Sequence, residues 1–189
     1  RDRSVSRGLG DVYKRQRYTY AAEAAKSQSL HVIEAVFKFT ANQEKEHGKI
    51  FYNFLKEMTG ENITIDGSYP VDIYDDVLKL LRSAQHNEFE EFEPVYPDFA
   101  AVANQEGFTN IGAKFNQIAK IEKTHGDRFG MFADLLEQGK LFVSDVEEEW
   151  MCLNCGYVHK SSEAPKSCPV CSHPQGYFVR LKLAPFTTL

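Results

Sequence analysis

Two sets of residues in this chain have the types and spacing to hold metal ions. Glu44–His47 and Glu122–His125 are Glu-x-x-His pairs, and Glu88–Glu91 is a Glu-x-x-Glu pair. Side chains three apart on a helix sit one turn apart on one face, with Cβ atoms about 5–6 Å apart. Each pair can therefore converge on one ion, and mixed carboxylate and imidazole donors suit iron or manganese. Further on, Cys152, Cys155, Cys168 and Cys171, the only cysteines, form two Cys-x-x-Cys pairs across a twelve-residue gap. Four thiolates make a tetrahedral site for zinc or a single iron, and ligand type alone leaves that choice open.

Helices must position the first set. Ile33, Phe37, Thr40, Glu44, His47, Phe51, Phe54 and Met58 fall at steps of four and three, as do Val77, Leu81, Ala84, Glu88, Glu91 and Val95. Ile111, Phe115, Ile118, Glu122, His125, Phe129, Phe132 and Leu136 do the same. Such stepping keeps each series on one interior face. The pattern predicts helices from about Arg17 to Ser27, 30 to 58 (closed near Gly60), Ile73 to Glu93, and Thr109 or Asn110 to Gln138, with Thr109 or Asn110 as cap and Gly139 closing. Pro94 and Pro97 bend or end the third, and a short helix can follow to Glu106. A crossover loop spans 59–72. The stripes carry no Lys or Arg, so burying these carboxylates unpaired would cost several kcal/mol each or force their protonation. Divalent cations would supply the missing charge. Two Glu-x-x-His helices with Glu donors from two others is the arrangement of ferritin-like di-iron bundles.

The remaining residues set limits. A net charge of −5 without a basic stripe argues against nucleic acid or a membrane surface as partner. No apolar run approaches the ~18 residues that span a bilayer, and the charged N-terminus lacks the apolar stretch of a secretory signal. The expected location is cytoplasmic, where clustered cysteines bind metal more often than they form disulfides. Residues 1–16, RDRSVSRGLGDVYKRQ, resemble translated cloning or sequencing-adaptor sequence and are set apart as non-native. The expected domains are then 17–139, a four-helix bundle; 140–149, a linker with the solvated run Glu147-Glu148-Glu149; and 150–189, a small metal-held domain with short strands. His31, His86, His159 and His173 lack matching partners and are expected at the surface or in local packing.

From about residue 17 onward the chain resembles the rubrerythrin family, with RYTY, EKEH, EFEE, VYPDFA, IEKTH and the cysteine pairs in the family's order. The resemblance implies a mainly α fold: a ferritin-like bundle with a C-terminal rubredoxin-like domain. It implies di-iron ligands at Glu44, Glu88, Glu91, Glu122 and His125. His47 and Glu91 match residues that exchange on one iron with redox state, and Tyr18 and Tyr96 match tyrosines lining the pocket. The family's first-helix Glu ligand falls on Asp11, one methylene shorter and beside Gly10. Trp150, Gly156 and Cys168-Pro169-Val170-Cys171 resemble a rubredoxin knuckle, which favours iron there over zinc. The activity implied is a di-iron peroxidase that reduces hydrogen peroxide to water in oxidative-stress defence. The four-cysteine iron would relay electrons from an external donor, a NAD(P)H-linked reductase or a rubredoxin, within a homodimer. The alternatives are ferritin-like iron oxidation or storage, and a structural bundle with a zinc docking ribbon.

Overall fold

The computed structural model describes residues 8–64 and 70–185, with side chains from Tyr13 onward. Helices α1 (Gly8–Ser27), α2 (His31–Asn53), α3 (Val77–Glu90), α4 (Tyr96–Gln105) and α5 (Thr109–Glu137) precede strands β1 (Val143–Cys152), β2 (Val158–Glu163) and β3 (Phe178–Arg180). This is a mainly α ferritin-like bundle followed by a small four-cysteine domain. None of the described helices is long and apolar enough to cross a membrane.

The bundle has four rods because α3 and α4 are one rod interrupted by a π turn, Glu91–Val95. Pro94 has no N–H to donate to the carbonyl four residues back, and its ring would collide with that carbonyl. Widening the turn to i→i+5 removes the conflict: Tyr96 N–H bonds Glu91 O. A π turn at Glu91 thus places the second carboxylate of Glu88–Glu91 just where the helix changes pitch. Along α5, Gly126 lets α3 come close, since a Cβ there would lie 2.9 Å from the Phe89 ring.

Several boundaries differ from the periodic pattern. Residues 8–16, set apart in the sequence, are built into α1, which runs unbroken to Ser27. Helix α2 stops at Asn53, and Phe54 and Met58 are exposed rather than interior. Helix α3 starts at Val77 because Asp76 caps it, accepting from Leu78 N–H at 2.8 Å. Neither Thr109 nor Asn110 caps α5, whose N-cap is Phe108. Gly139 does close it, at φ +66°, with Lys140 N–H on Leu135 O.

Residues expected as linker form most of β1, the centre of an antiparallel sheet ordered β2-β1-β3 with a register shift between Val143 and Glu148. Of the acidic run, Glu148 is paired with Lys182. Trp150, fully buried, donates from Nε1 to Ser161 O at 2.8 Å, and Arg180 lies over its ring. The small domain is docked, not tethered: Val179 and Ala184 belong to the same buried cluster as Val32, Ile33 and Phe132 of the bundle. His31 stacks on Tyr177 with ring centres 4.0 Å apart. Beside them Gly176 packs so closely that a Cβ would fall 1.8 Å from Ser29 O.

Gly176→Ala should therefore push the two parts apart. The loss should be about 1–3 kcal/mol, the usual scale of overpacking. Trp150, the only tryptophan, reports the small domain by fluorescence, whereas circular dichroism reports the helices. The fluorescence melt of the variant should fall below the helix melt; coincident, unshifted melts would contradict the docking.

Candidate metal centres

Glu44 and His47 enter the bundle from α2, Glu88 from α3, Glu91 from the π turn, and Glu122 and His125 from α5. All but Glu91 are buried, and Glu91 is 19% exposed. Their donor atoms gather around two foci. His125 Nδ1 lies 2.9 Å from Glu44 Oε1, 2.9 Å from Glu122 Oε2 and 3.6 Å from Glu88 Oε1. The other oxygens of the same three carboxylates turn to a second point, held by Lys14 Nζ. It stands 3.0 Å from Glu44 Oε2, 3.0 Å from Glu88 Oε2, 2.9 Å from Glu91 Oε2 and 3.5 Å from Glu122 Oε1. His47 Nδ1 adjoins this second point, 3.2 Å from Glu122 Oε1 and 3.5 Å from Glu44 Oε2.

The three stripes carry no Lys or Arg, as the sequence has it, yet Lys14 brings a cation to the carboxylates from a fourth helix. It comes from α1, within the Arg- and Gly-rich stretch of residues 1–16. Asp11 lies outside the residues whose side chains are described. Tyr18, one turn after Lys14 and buried, donates its hydroxyl to Glu88 Oε1. Tyr96 is buried, its ring against Phe51 and Phe115. Of the other histidines, His86 sits beside Glu90, His159 beside Tyr157 and His173 on Cys171 O, whereas His31 stacks across the junction with the small domain on Tyr177.

A supporting layer was also missed from sequence. Gln43 Oε1 accepts from His125 Nε2 at 3.1 Å and from Arg128 Nη1 at 3.1 Å, and Arg128 also donates to Thr40 Oγ1 at 2.9 Å. These bonds turn the His125 ring so that Nδ1 faces the carboxylates. One signal was available: Arg128 follows His125 by three and so shares its face.

Charge compensation explains the proton affinities. Burial opposes the charge of Lys14, but Glu122, Glu44, Glu88 and Glu91 hold its ammonium well above the usual lysine range. Burial likewise opposes imidazolium at His125, yet Glu122, Glu44 and Glu88 carry it to about 11. Against the same opposition, Glu122 and Glu44 carry His47 to about 10. Burial pushes Glu88 up to about 8 against the pull of Lys14. Glu122 stays well below the usual carboxylate range because Lys14, His125 and His47 outweigh its burial.

The donors fit metal ions. Both oxygens of Glu44 and of Glu122, with Nδ1 of His47 and of His125, are buried without a well-formed hydrogen bond. They lie within ion-pair distance yet aim at shared points rather than at one another. Splitting each carboxylate between two foci is what bridging ligands do. Glu44, Glu88, Glu122 and His125 have ligand atoms all within 4.8 Å of one another.

The cysteines form the second centre. Cys152 O accepts from Gly156 N–H at 2.8 Å, and Cys168 O from Ser172 N–H at 2.9 Å. Cys152 N–H reaches Tyr157 O, and Cys168 N–H reaches His173 O, each at 2.8 Å. The two knuckles thus repeat one geometry, and Gly156 and Ser172 share a positive φ, +78° and +59°. Sulfurs face across the pair at 3.7 Å (Cys152–Cys171) and 3.6 Å (Cys155–Cys168), with no disulfide. A tetrahedral ion with bonds near 2.3 Å needs sulfurs about 3.8 Å apart, so the thiols fit. A backbone hydrogen bond from His173 helps bring Cys171 down to about 6, favouring thiolate.

A carboxylate–histidine bundle joined to a two-knuckle thiolate domain defines a ferritin-like di-iron protein with a rubredoxin-like module. The rubrerythrin family model matches residues 11–133, and the model for the rubrerythrin rubredoxin-like domain matches 150–179. Rubrerythrin of Clostridium perfringens is 43% identical over 89% of this chain and 87% of its own length. Rubrerythrin of Porphyromonas gingivalis is 43% identical over 92% and 85%. The fully reduced, all-ferrous structure of nigerythrin superposes with a TM-score of 0.63 at 25% identity, covering 94% of this chain and 84% of that one. The chain belongs to the rubrerythrin family. Its metal groups are accordingly a di-iron site at the carboxylate–histidine cluster and a four-cysteine rubredoxin-like site.

The proton affinities predict the pH response of metal-free protein. Unfolded, histidine titrates near about 6.5 and glutamate near about 4.3. Folded His47, His125 and Glu88 all hold protons to higher pH. The folded state therefore binds more protons than the unfolded one, and stability falls as pH rises. The histidine contribution is complete below about 6.5 and is lost as pH passes through about 10 to 11. Thermal melts in chelator should show a melting temperature that declines from about pH 6.5 to about pH 9.5. A flat or rising profile would contradict the charge assignment.

Proposed function

We propose that the protein is a non-haem di-iron peroxidase that reduces hydrogen peroxide to water, with electrons passing through the four-cysteine iron. The observation that carries this reading is the pairing, in one chain, of two carboxylate-bridged foci with a thiolate centre suited to one-electron transfer. Iron bound at the foci supplies electrons and Lewis acidity for cleaving the O–O bond. Each turnover consumes one peroxide, two electrons and two protons and yields two waters.

The chain's own residues set the conditions. Glu44, Glu88 and Glu122 present one oxygen to each focus, and His125 serves the first. Glu91 and His47 both adjoin the second, which supports the exchange of those two ligands there. Glu91 is the most exposed of the six, so peroxide and protons enter on its side. Tyr18, Phe37 and Phe129 seal one end of the cluster, and Phe51, Tyr96 and Phe115 pack together nearby. Tyr18 holds Glu88 in place through its hydroxyl.

Electron delivery favours a homodimer. The chain's own knuckles dock at the His31 end of α2, thirteen residues from Glu44, or about 20 Å along the helix. The family resemblance implies the alternative, a homodimer in which the knuckle of one subunit lies near the di-iron site of another. The donor upstream is an external reductase, NAD(P)H-linked, or a rubredoxin, in a cytoplasm that keeps the thiols reduced.

Rapid mixing of the reduced iron protein with peroxide tests the relay. The visible band of the oxidised iron–thiolate centre should appear as peroxide disappears, at about two electrons per peroxide. Peroxide consumed while that centre stays reduced would sink the relay. A separate check concerns the layer behind His125. Gln43→Leu should weaken bundle metal binding about 10- to 100-fold in equilibrium titrations, the usual effect of losing a ligand's orienting partner. Unchanged affinity would remove Gln43 from that role.

A further inference from the structure

The geometry points to Lys14 as an internal cation that holds one of the two metal positions, so that the second ion binds only by displacing its ammonium. This rests on the two-metal reading above and concerns what this chain adds to it. Three observations converge. The Lys14 side chain is 3% exposed, and its Nζ lies within 3.0 Å of Glu44, Glu88 and Glu91. It meets the Oε2 atoms of Glu44 and Glu88, whereas their Oε1 atoms turn to His125. His47 Nδ1 borders the same point. The ammonium therefore stands among the donors that would otherwise bind one ion, and leaves the donors around His125 to the other. A like-charged ion cannot share that point with it. Lys14 lies at the end of a flexible four-carbon stem on the first helix, so it can withdraw, but only by giving up every carboxylate contact at once.

The consequence is unequal metal positions. The focus of His125 with Glu44, Glu88 and Glu122 should load first and tightly. The focus of Glu91 and His47 should load weakly while Lys14 is present.

The test uses the full chain with its four-cysteine site already filled with zinc. It is titrated with Mn2+, a hard ion that thiolates bind poorly, with free Mn2+ read by electron paramagnetic resonance. The unaltered chain should take up about one tight Mn2+, and Lys14→Met about two with an exchange-coupled signal. Lys14→Arg, which keeps the charge, should stay at about one. If Lys14→Met folds only when Mn2+ is present, the ion has replaced the ammonium and the inference gains support. Two coupled ions in the unaltered chain, or about one in Lys14→Met, would overturn the inference and leave the two-metal reading standing. No tight Mn2+ in any of the three would overturn both.

Discussion

Four carboxylates gathered at the centre of one bundle, three of them fully buried and Glu91 at the edge, are the constraint from which the rest of the structure follows. Left ionised and uncompensated, each would cost several kcal/mol, more than a domain of this size can absorb several times over. The fold answers with opposite charge from three elements: Lys14 from α1, His47 from α2 and His125 from α5. Glu88 holds a proton up to about pH 8 and burial raises Glu91 as well, which lessens the negative charge these cations must offset. Removing any one of the three would leave a buried charge unmatched, the situation in which losing one partner of an ion pair is most damaging.

The elements around the cluster make sense as means of bringing those charges together. The π turn exists because Pro94 cannot continue an α-helix, and it carries Glu91 to the edge of the cluster. Gly126 lets α3 approach α5 near Glu122 and His125. Gln43, Arg128 and Thr40 hold the far side of His125, so its ring orientation is set before any ion arrives. Aromatic rings from α1, α2 and α5 close the bundle beside the cluster and lower the local dielectric, which strengthens every charge interaction inside it.

Much of this was legible in the sequence, for a definite reason. Glu44, His47, Glu122 and His125 were found because helical periodicity places them in phase with apolar neighbours, and periodicity is a local property. Glu88 and Glu91 were found the same way, although the widened turn that begins at Glu91 was not. Lys14 could not be found so, because it stands in a stretch whose Gly and Arg content argues against order, and its burial depends on partners as far along the chain as Glu122. Gln43 was invisible for a related reason: an amide beside a ligand becomes informative only when Arg128 approaches it across two helices. Strand β1 was missed because the run Glu147-Glu148-Glu149 reads as solvated; its pairing with β2 and the contact of Glu148 with Lys182 are long-range facts.

Metal-free and metal-bound chains can share one scaffold because both reach the same balance. Four carboxylates carry four negative charges, and two divalent ions with neutral histidines match them. Without metal, the ammonium of Lys14, protons on His47 and His125, and the raised proton affinities of Glu88 and Glu91 offset that charge instead. Loading the site is therefore an exchange of cations for cations, with protons released from His47, His125 and Glu88 as ions enter. Because the ligand oxygens already divide between two foci, the exchange needs no new backbone arrangement, only the withdrawal of protons and of one lysine. The electrostatic demand that shapes the bundle during folding is thus the same demand that gives it an affinity for metal.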